Sequence, residues 1–178
     1  MKILFYSLIV IYALSANAED FNDLFRAATD GNTERLRSLL AQGLDVNAKS
    51  ATGRTALMGA CYNGNLRNVK VLLNYGADVN AADNTGNTAL MDAIRFADKD
   101  LIQILIAAGA DVNAVDNNGL TILARAKKIA PAAIIKLLEQ AGAKETLEPE
   151  TETEDAATEE KKDDNAKDNP QKEADNAQ

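Results

Sequence analysis

The sequence predicts an all-α solenoid of about four helix-turn-helix repeats, with a short apolar leader before it and a disordered acidic tail after it. Three observations carry this expectation. Glycines recur at a fixed step of 33 residues, paired amphipathic stripes lie between them, and the composition changes abruptly at both ends.

The leader is residues 1–18. Met1-Lys2 supplies a positive start, Ile3 to Leu14 is an apolar run of about a dozen residues, and Ser15-Ala16-Asn17-Ala18 offers the small residues that a signal peptidase reads. An uncleaved anchor would need roughly 20 apolar residues to cross the bilayer core, so the run reads as a signal cleaved after Ala18. No cysteine near that point suggests a lipoprotein anchor, and no stable membrane insertion is expected once the signal is removed.

The tail is residues 144–178. It holds no aromatic residue and one large aliphatic, Leu147, among thirteen acidic and five basic side chains, a net charge of −8. Too little apolar surface is available there to offset the entropy of ordering the chain. The whole protein also carries −8, so residues 1–143 are neutral, with fourteen charges of each sign. A neutral body lacks the basic face that nucleic acid demands. The tail reads as a solubilising spacer, or as a weak trap for a basic partner or cations.

Residues 19–143 remain for one domain. The chain has no histidine and one cysteine, Cys61. That removes histidine-dependent nucleophilic and acid–base catalysis, histidine zinc sites and any internal disulfide. Cys61 aligns with Ala28 and Ile94 and reads as a buried small residue, not a reactive thiol.

The period of 33 is seen in five columns: Gly43, Gly76, Gly109 and Gly142; Asp45, Asp78 and Asp111; Asn47, Asn80 and Asn113; Gly53, Gly86 and Gly119; Thr55, Thr88 and Thr121. Gly76 follows V-L-L-N-Y and supplies a left-handed residue that ends a helix. D-N-T-G and D-N-N-G are turn sequences, after which Thr55, Thr88 and Thr121 can cap the next helix. Leu57, Ala60 and Cys61 form the stripe of a first helix, Gly64 breaks it, and Leu66, Val69, Leu72 and Leu73 line one face of a second. Units fall at about 20–52, 53–85, 86–118 and 119–143. The outer two lack part of the pattern and read as caps, with Pro131 placed to start a helix.

Residues 53–81, G-R-T-A-L-M-G-A-C-Y-N-G-N-L-R-N-V-K-V-L-L-N-Y-G-A-D-V-N-A, resemble the ankyrin repeat, and residues 86–114 repeat the pattern. Together with the leader, the resemblance is to the exported bacterial type of this family. One departure is that the usual T-P-L-H opening is T-A-L-M at Thr55–Met58 and Thr88–Met91. The histidine ties between repeats are therefore missing, and Met58 and Met91 are expected to substitute packing for them.

The resemblance implies a non-enzymatic interaction scaffold that needs no cofactor and binds a protein through its concave face. The positions it puts toward a partner are turn tips and first-helix ends: Thr52, Arg54, Asn84, Thr85, Asn87, Asn117, Asn118 and Leu120, then Tyr62, Asn63, Arg95, Phe96, Lys128 and Ile129. Arg54, Tyr62, Asn63, Asn87, Arg95, Phe96, Leu120, Lys128 and Ile129 are the candidate partner-binding residues. Phe96 lies off its helix stripe, either as an exposed anchor or folded back onto the start of the second helix, over Ile129. Asp92 and Arg125, 33 apart, are expected to pair across adjacent repeats, contributing about 0–1 kcal/mol.

The short leader and the absence of an N-x-S/T sequon favour a bacterial periplasmic protein, with a secreted effector that engages a host protein as the alternative. A monomer is expected. A carboxylate-based enzyme or metal carrier is the remote alternative, since Asp45, Asp78 and Asp111 recur as structural residues do.

Overall fold

The computed structural model describes residues 21–145. The leader and nearly all of the acidic tail lie outside the described residues. Helix α1 covers residues 21–29 of the described chain and is followed by α2 (Thr33–Ala41). The next pairs are α3 (Ala56–Tyr62) with α4 (Leu66–Asn74), and α5 (Ala89–Ala93) with α6 (Lys99–Ala107). A last pair is α7 (Ile122–Ile129) with α8 (Ala132–Gln140). A single 3-10 turn, Ile94–Phe96, extends α5. First helices stack on first helices and second helices on second helices.

Local chemistry sets each boundary. The hydroxyls of Thr55, Thr88 and Thr121 accept from the amides of Met58, Met91 and Ala124, which satisfies a donor that each helix start leaves free. Asn32 and Asp98 do the same for α2 and α6, and Pro131 stands at the cap position just ahead of α8. At the other end of α4, Gly76 takes φ +84°. Its amide donates to the Leu73 carbonyl and that of Ala77 to Leu72, both at 3.0 Å, the double closure of a Schellman motif.

The turn between paired helices has a column of its own, occupied by Gly31, Gly64, Ala97 and Ala130. Both glycines are left-handed, and Ala97 is forced into the same region at φ +52°. A left-handed alanine costs about 1–2 kcal/mol, part of which glycine returns as entropy of the unfolded chain. Ala97→Gly should therefore raise stability by about 0.5–1 kcal/mol, read as a higher urea midpoint at unchanged slope. A neutral or lower midpoint would show that the Ala97 methyl makes contacts worth more than the strain.

The core consists of columns that run through the stack. Leu24, Leu57, Leu90 and Leu123 are buried, as are Ala27, Ala60, Ala93 and Ala126, whose small side chains let neighbouring helices approach. Each buried leucine contributes about 1.5–3 kcal/mol. Ala28, Cys61 and Ile94 are fully buried, and the next member of their column is Lys127. Lys127 keeps 39% of its side chain exposed and bonds the Glu145 carboxylate at 2.5 Å, which raises its pKa. Among the described residues, α7 is the last first-helix, and the lysine stands where the earlier repeats bury an apolar side chain.

Met58 and Met91 are buried, but packing does not carry the repeat contacts alone. Asn47 donates from Nδ2 to the Gly76 carbonyl at 3.2 Å and accepts the Asp78 amide at 2.7 Å. Asn80 does the same with Gly109 and Asp111, and Asn113 with Gly142 and Lys144. Both ends of each amide are used, so each asparagine fixes the register of the following repeat. Asn68, fully buried, adds donations to Ala27 and Ala28 and accepts from Thr33. Polar contacts from asparagine thus stand beside the packing of Met58 and Met91.

Candidate functional site

The first helices and the turn tips share one face, and each tip is built by a side chain that folds it. Asp83 Oδ1 accepts the amides of Thr85 at 2.8 Å and Asn87 at 3.0 Å, and Asp116 accepts those of Asn118 and Leu120. Ser50, in the same column, does so with its hydroxyl. The tips are then tied together: Asn84 donates from Nδ2 to Ala51 and from its amide to Thr52, and Asn117 likewise to Asn84 and Thr85, each at 3.0 Å. Asn84 and Asn117, placed toward a partner by the sequence, spend their amide donors on the neighbouring tip.

Behind the tips lies a charged layer. Arg54 donates to Asp92 at 2.7 Å and reaches Asp83 at 3.5 Å; Arg125 donates to Asp116 at 2.9 Å and to the side-chain Oδ1 of Asn87 at 2.7 Å. The expected Asp92–Arg125 pair is not formed: Asp92 is bonded by Arg54 of the preceding repeat, and Arg125 attracts it without a hydrogen bond. A turn tip leans toward the helix of the next repeat, so tip and helix meet where equal columns do not. Arg125 Nε is buried without a partner among the described residues.

Burial opposes ionisation throughout this layer. At Asp92 it prevails over Arg54 and Arg125, and the pKa is raised. At Asp83 it is outweighed by the Thr85 hydroxyl and amide, the Asn87 amide and Arg54, and the pKa is lowered. Asp116 is lowered in the same way by the Leu120 and Asn118 amides and by Arg125. Burial, with Asp92 adding to it, pushes the Cys61 thiol well above its ordinary range, so Cys61 is a packed side chain and not a nucleophile at neutral pH.

The helix ends differ from this layer. Tyr62 is exposed, with the Arg95 guanidinium 4.2 Å from its ring centroid and that of Arg54 at 5.7 Å. A cation held over an exposed ring gains about 0.5–1 kcal/mol. Lys128 and Ile129 stand one repeat further on, both exposed. Phe96 is both exposed and in contact with a neighbouring turn. It remains 54% exposed, and its ring covers Gly64 of the preceding repeat so closely that a Cβ there would lie 2.6 Å from it. Asn63 donates to the Thr29 carbonyl at 3.0 Å, and Leu120 is half-buried.

The candidates therefore divide. Arg54, Asn63 and Asn87 are engaged in holding repeats together, whereas Tyr62, Arg95, Phe96, Lys128 and Ile129 are presented to solvent. The sequence did not point to the recess beside Tyr62, an open cavity of about 460 Å³ lined by Phe25, Thr29, Arg54, Gly59, Tyr62 and Asn63. Within it Gly59 occupies the column where Arg26, Asp92 and Arg125 stand, and its missing side chain lets Phe25 and Thr29 approach the helix. A Cβ on Gly59 would lie 2.7 Å from Thr29 and 2.9 Å from the Phe25 ring. A glycine inside a helix, alone in a charged column, was the available signal.

The carboxylates that a hydrolytic or metal-carrying reading would need are engaged locally. Asp45, Asp78 and Asp111 each accept the amide two residues on, at 2.8–2.9 Å. Among the described residues, no group of three or more Cys, Asp or Glu is placed to hold a metal ion, and no helix is long and apolar enough to cross a membrane.

A family model described as ankyrin repeats, in three copies, matches residues 24–116, more than half of the 178-residue chain. No curated protein matches it.

Proposed function

The chain belongs to the ankyrin-repeat family, whose members serve as protein-interaction modules, and from that premise we propose that it is a non-catalytic scaffold working in the bacterial periplasm. Its partner is a protein held along the inner face. The observation that carries this reading is the division of the face into two layers. Arg54, Asn87 and Arg125 are consumed by contacts between repeats, while Tyr62, Arg95, Phe96, Lys128 and Ile129 are left to solvent at successive helix ends. Exposed aromatic and arginine side chains gathered on one rigid face are the composition of a binding centre. Export rests on Met1–Ala18, whose short apolar run suits a cleaved signal.

A photo-cross-linking residue at Phe96 or Ile129, compared with one at exposed Lys70 on the outer helix α4, tests the face. The same cellular protein should be trapped from the first two positions and not from Lys70. Adducts from Lys70 alone would place the partner on the outer helices and defeat the reading. Recovery of the mature chain in washed periplasm, against culture supernatant, tests the compartment.

A further inference from the structure

The inner face carries cations of two kinds. Arg54 and Arg125 lie in the deeper layer and are matched there by Asp83, Asp92 and Asp116. Arg95 and Lys128 are exposed and have no carboxylate partner among the described residues. Arg95 is nevertheless positioned. Its guanidinium carbon is held 4.2 Å from the Tyr62 ring centroid, a contact with the ring that does not consume its N–H donors as a salt bridge would.

Lys128 occupies the same column one repeat later, 33 residues on. Neighbouring packed helices stand about 8–10 Å apart. An extended polyproline-II segment rises about 3.1 Å per residue with three residues per turn, so side chains three apart share a face at about 9 Å. One repeat earlier in this column, Tyr62 borders the recess of about 460 Å³ floored by Phe25 and Gly59, with room for a large apolar side chain.

Resting on the inner-face reading, we propose that the partner contributes an extended acidic segment with a bulky apolar residue and two carboxylates at three-residue spacing. The apolar side chain enters the recess beside Tyr62, and the carboxylates meet Arg95 and Lys128. A recess suits a protein segment better than a planar lipid headgroup layer, which would not reach its floor.

The test uses the mature chain, residues 19–178, and fluorescein-labelled proline-rich peptides in both chain directions. One set carries a phenylalanine followed by glutamate at every third position. The controls replace the glutamates with glutamine, or the phenylalanine with alanine. Fluorescence anisotropy should show the acidic phenylalanine peptide binding more tightly than either control. Affinity should fall about tenfold in Arg95→Ala/Lys128→Ala, with melting lowered by no more than the few degrees that losing the contact on Tyr62 costs, and should weaken as salt rises. The acidic tail is present in every variant, so its effect on a given probe is common to parent and variant.

An affinity for the acidic peptide that is the same in Arg95→Ala/Lys128→Ala as in the parent overturns the proposal. So does binding of phosphatidylglycerol vesicles with the same dependence on Arg95 and Lys128, or a self-associated chain that those two substitutions return to monomer. If cross-linking at Phe96 still traps a partner in the double variant at undiminished yield, the inner face stands and the acidic chemistry fails. If cross-links come only from Lys70, the inner-face reading itself has failed.

Discussion

Gly86→Ala is expected to lower stability by about 3–4 kcal/mol, while the same change at Gly76 costs only about 1–2 kcal/mol. Both glycines are left-handed, at φ +80° and +84°, so both substitutions bear the backbone penalty of an L-residue in that region. Their surroundings differ. A Cβ on Gly76 meets nothing within 4 Å, whereas on Gly86 it would lie 2.7 Å from Asn117 Oδ1, 2.8 Å from the Asn117 amide and 3.0 Å from Asp116 Cα. Two of those neighbours are backbone and cannot rotate away. The following tip would have to retreat, loosening the bonds from Asn117 to Thr85 and Asn84, each worth about 0.5–1.5 kcal/mol net. Urea denaturation of the two variants side by side checks the ranking. Equal losses would mean that the tips part freely and that their ties are not structural.

The same comparison shows what was legible in the sequence. Equal columns at a step of 33 located the helix pairs, their glycine ends and their threonine caps, because each of those features is solved inside one repeat. Contacts between repeats follow other offsets. Asn47, Asn80 and Asn113 reach carbonyls 29 residues ahead and accept amides 31 ahead. Arg54 meets Asp92, and Asn87 meets Arg125, at 38. Reading only the period paired Asp92 with Arg125, two positions at the same height on neighbouring helices. The tilt of each tip toward the next repeat decides such pairs, and tilt is a tertiary quantity with no local signature. Phe96 is a similar case. Its ring settles on Gly64 because that turn lacks a side chain, a vacancy visible in the sequence only once the two loops are known to be adjacent.

Arg54→Ala should cost about 2–3 kcal/mol near pH 7.5, below the 3–5 kcal/mol of a fully buried pair because Arg54 keeps 26% of its side chain exposed. The loss comes from what is left behind. Asp92 is 11% exposed and would retain only the more distant attraction of Arg125, while Asp83 keeps its bonds from Thr85 and Asn87. Burial already holds the Asp92 pKa above its ordinary value, and losing Arg54 raises it further. A carboxyl whose folded pKa is raised binds its proton in the folded state at a pH where the unfolded chain has released it. Its penalty is therefore present above the folded pKa and relieved as pH falls. The variant's deficit against the parent should shrink as pH falls from 7.5 toward the ordinary aspartate range. Asp83 and Asp116 act with the opposite sign: their pKa values are lowered, so the stability they supply is lost only as pH falls through those lowered values, which lie below the ordinary aspartate value of about 3.9. Thermal melts taken from pH 7.5 down toward that value thus isolate Asp92. Adding Asp92→Asn to Arg54→Ala should recover part of the loss and remove its pH dependence. A deficit that is the same at every pH, or that Asp92→Asn leaves untouched, would mean that Arg54 acts through packing alone. It would then stand beside Arg95 as a side chain available to a partner.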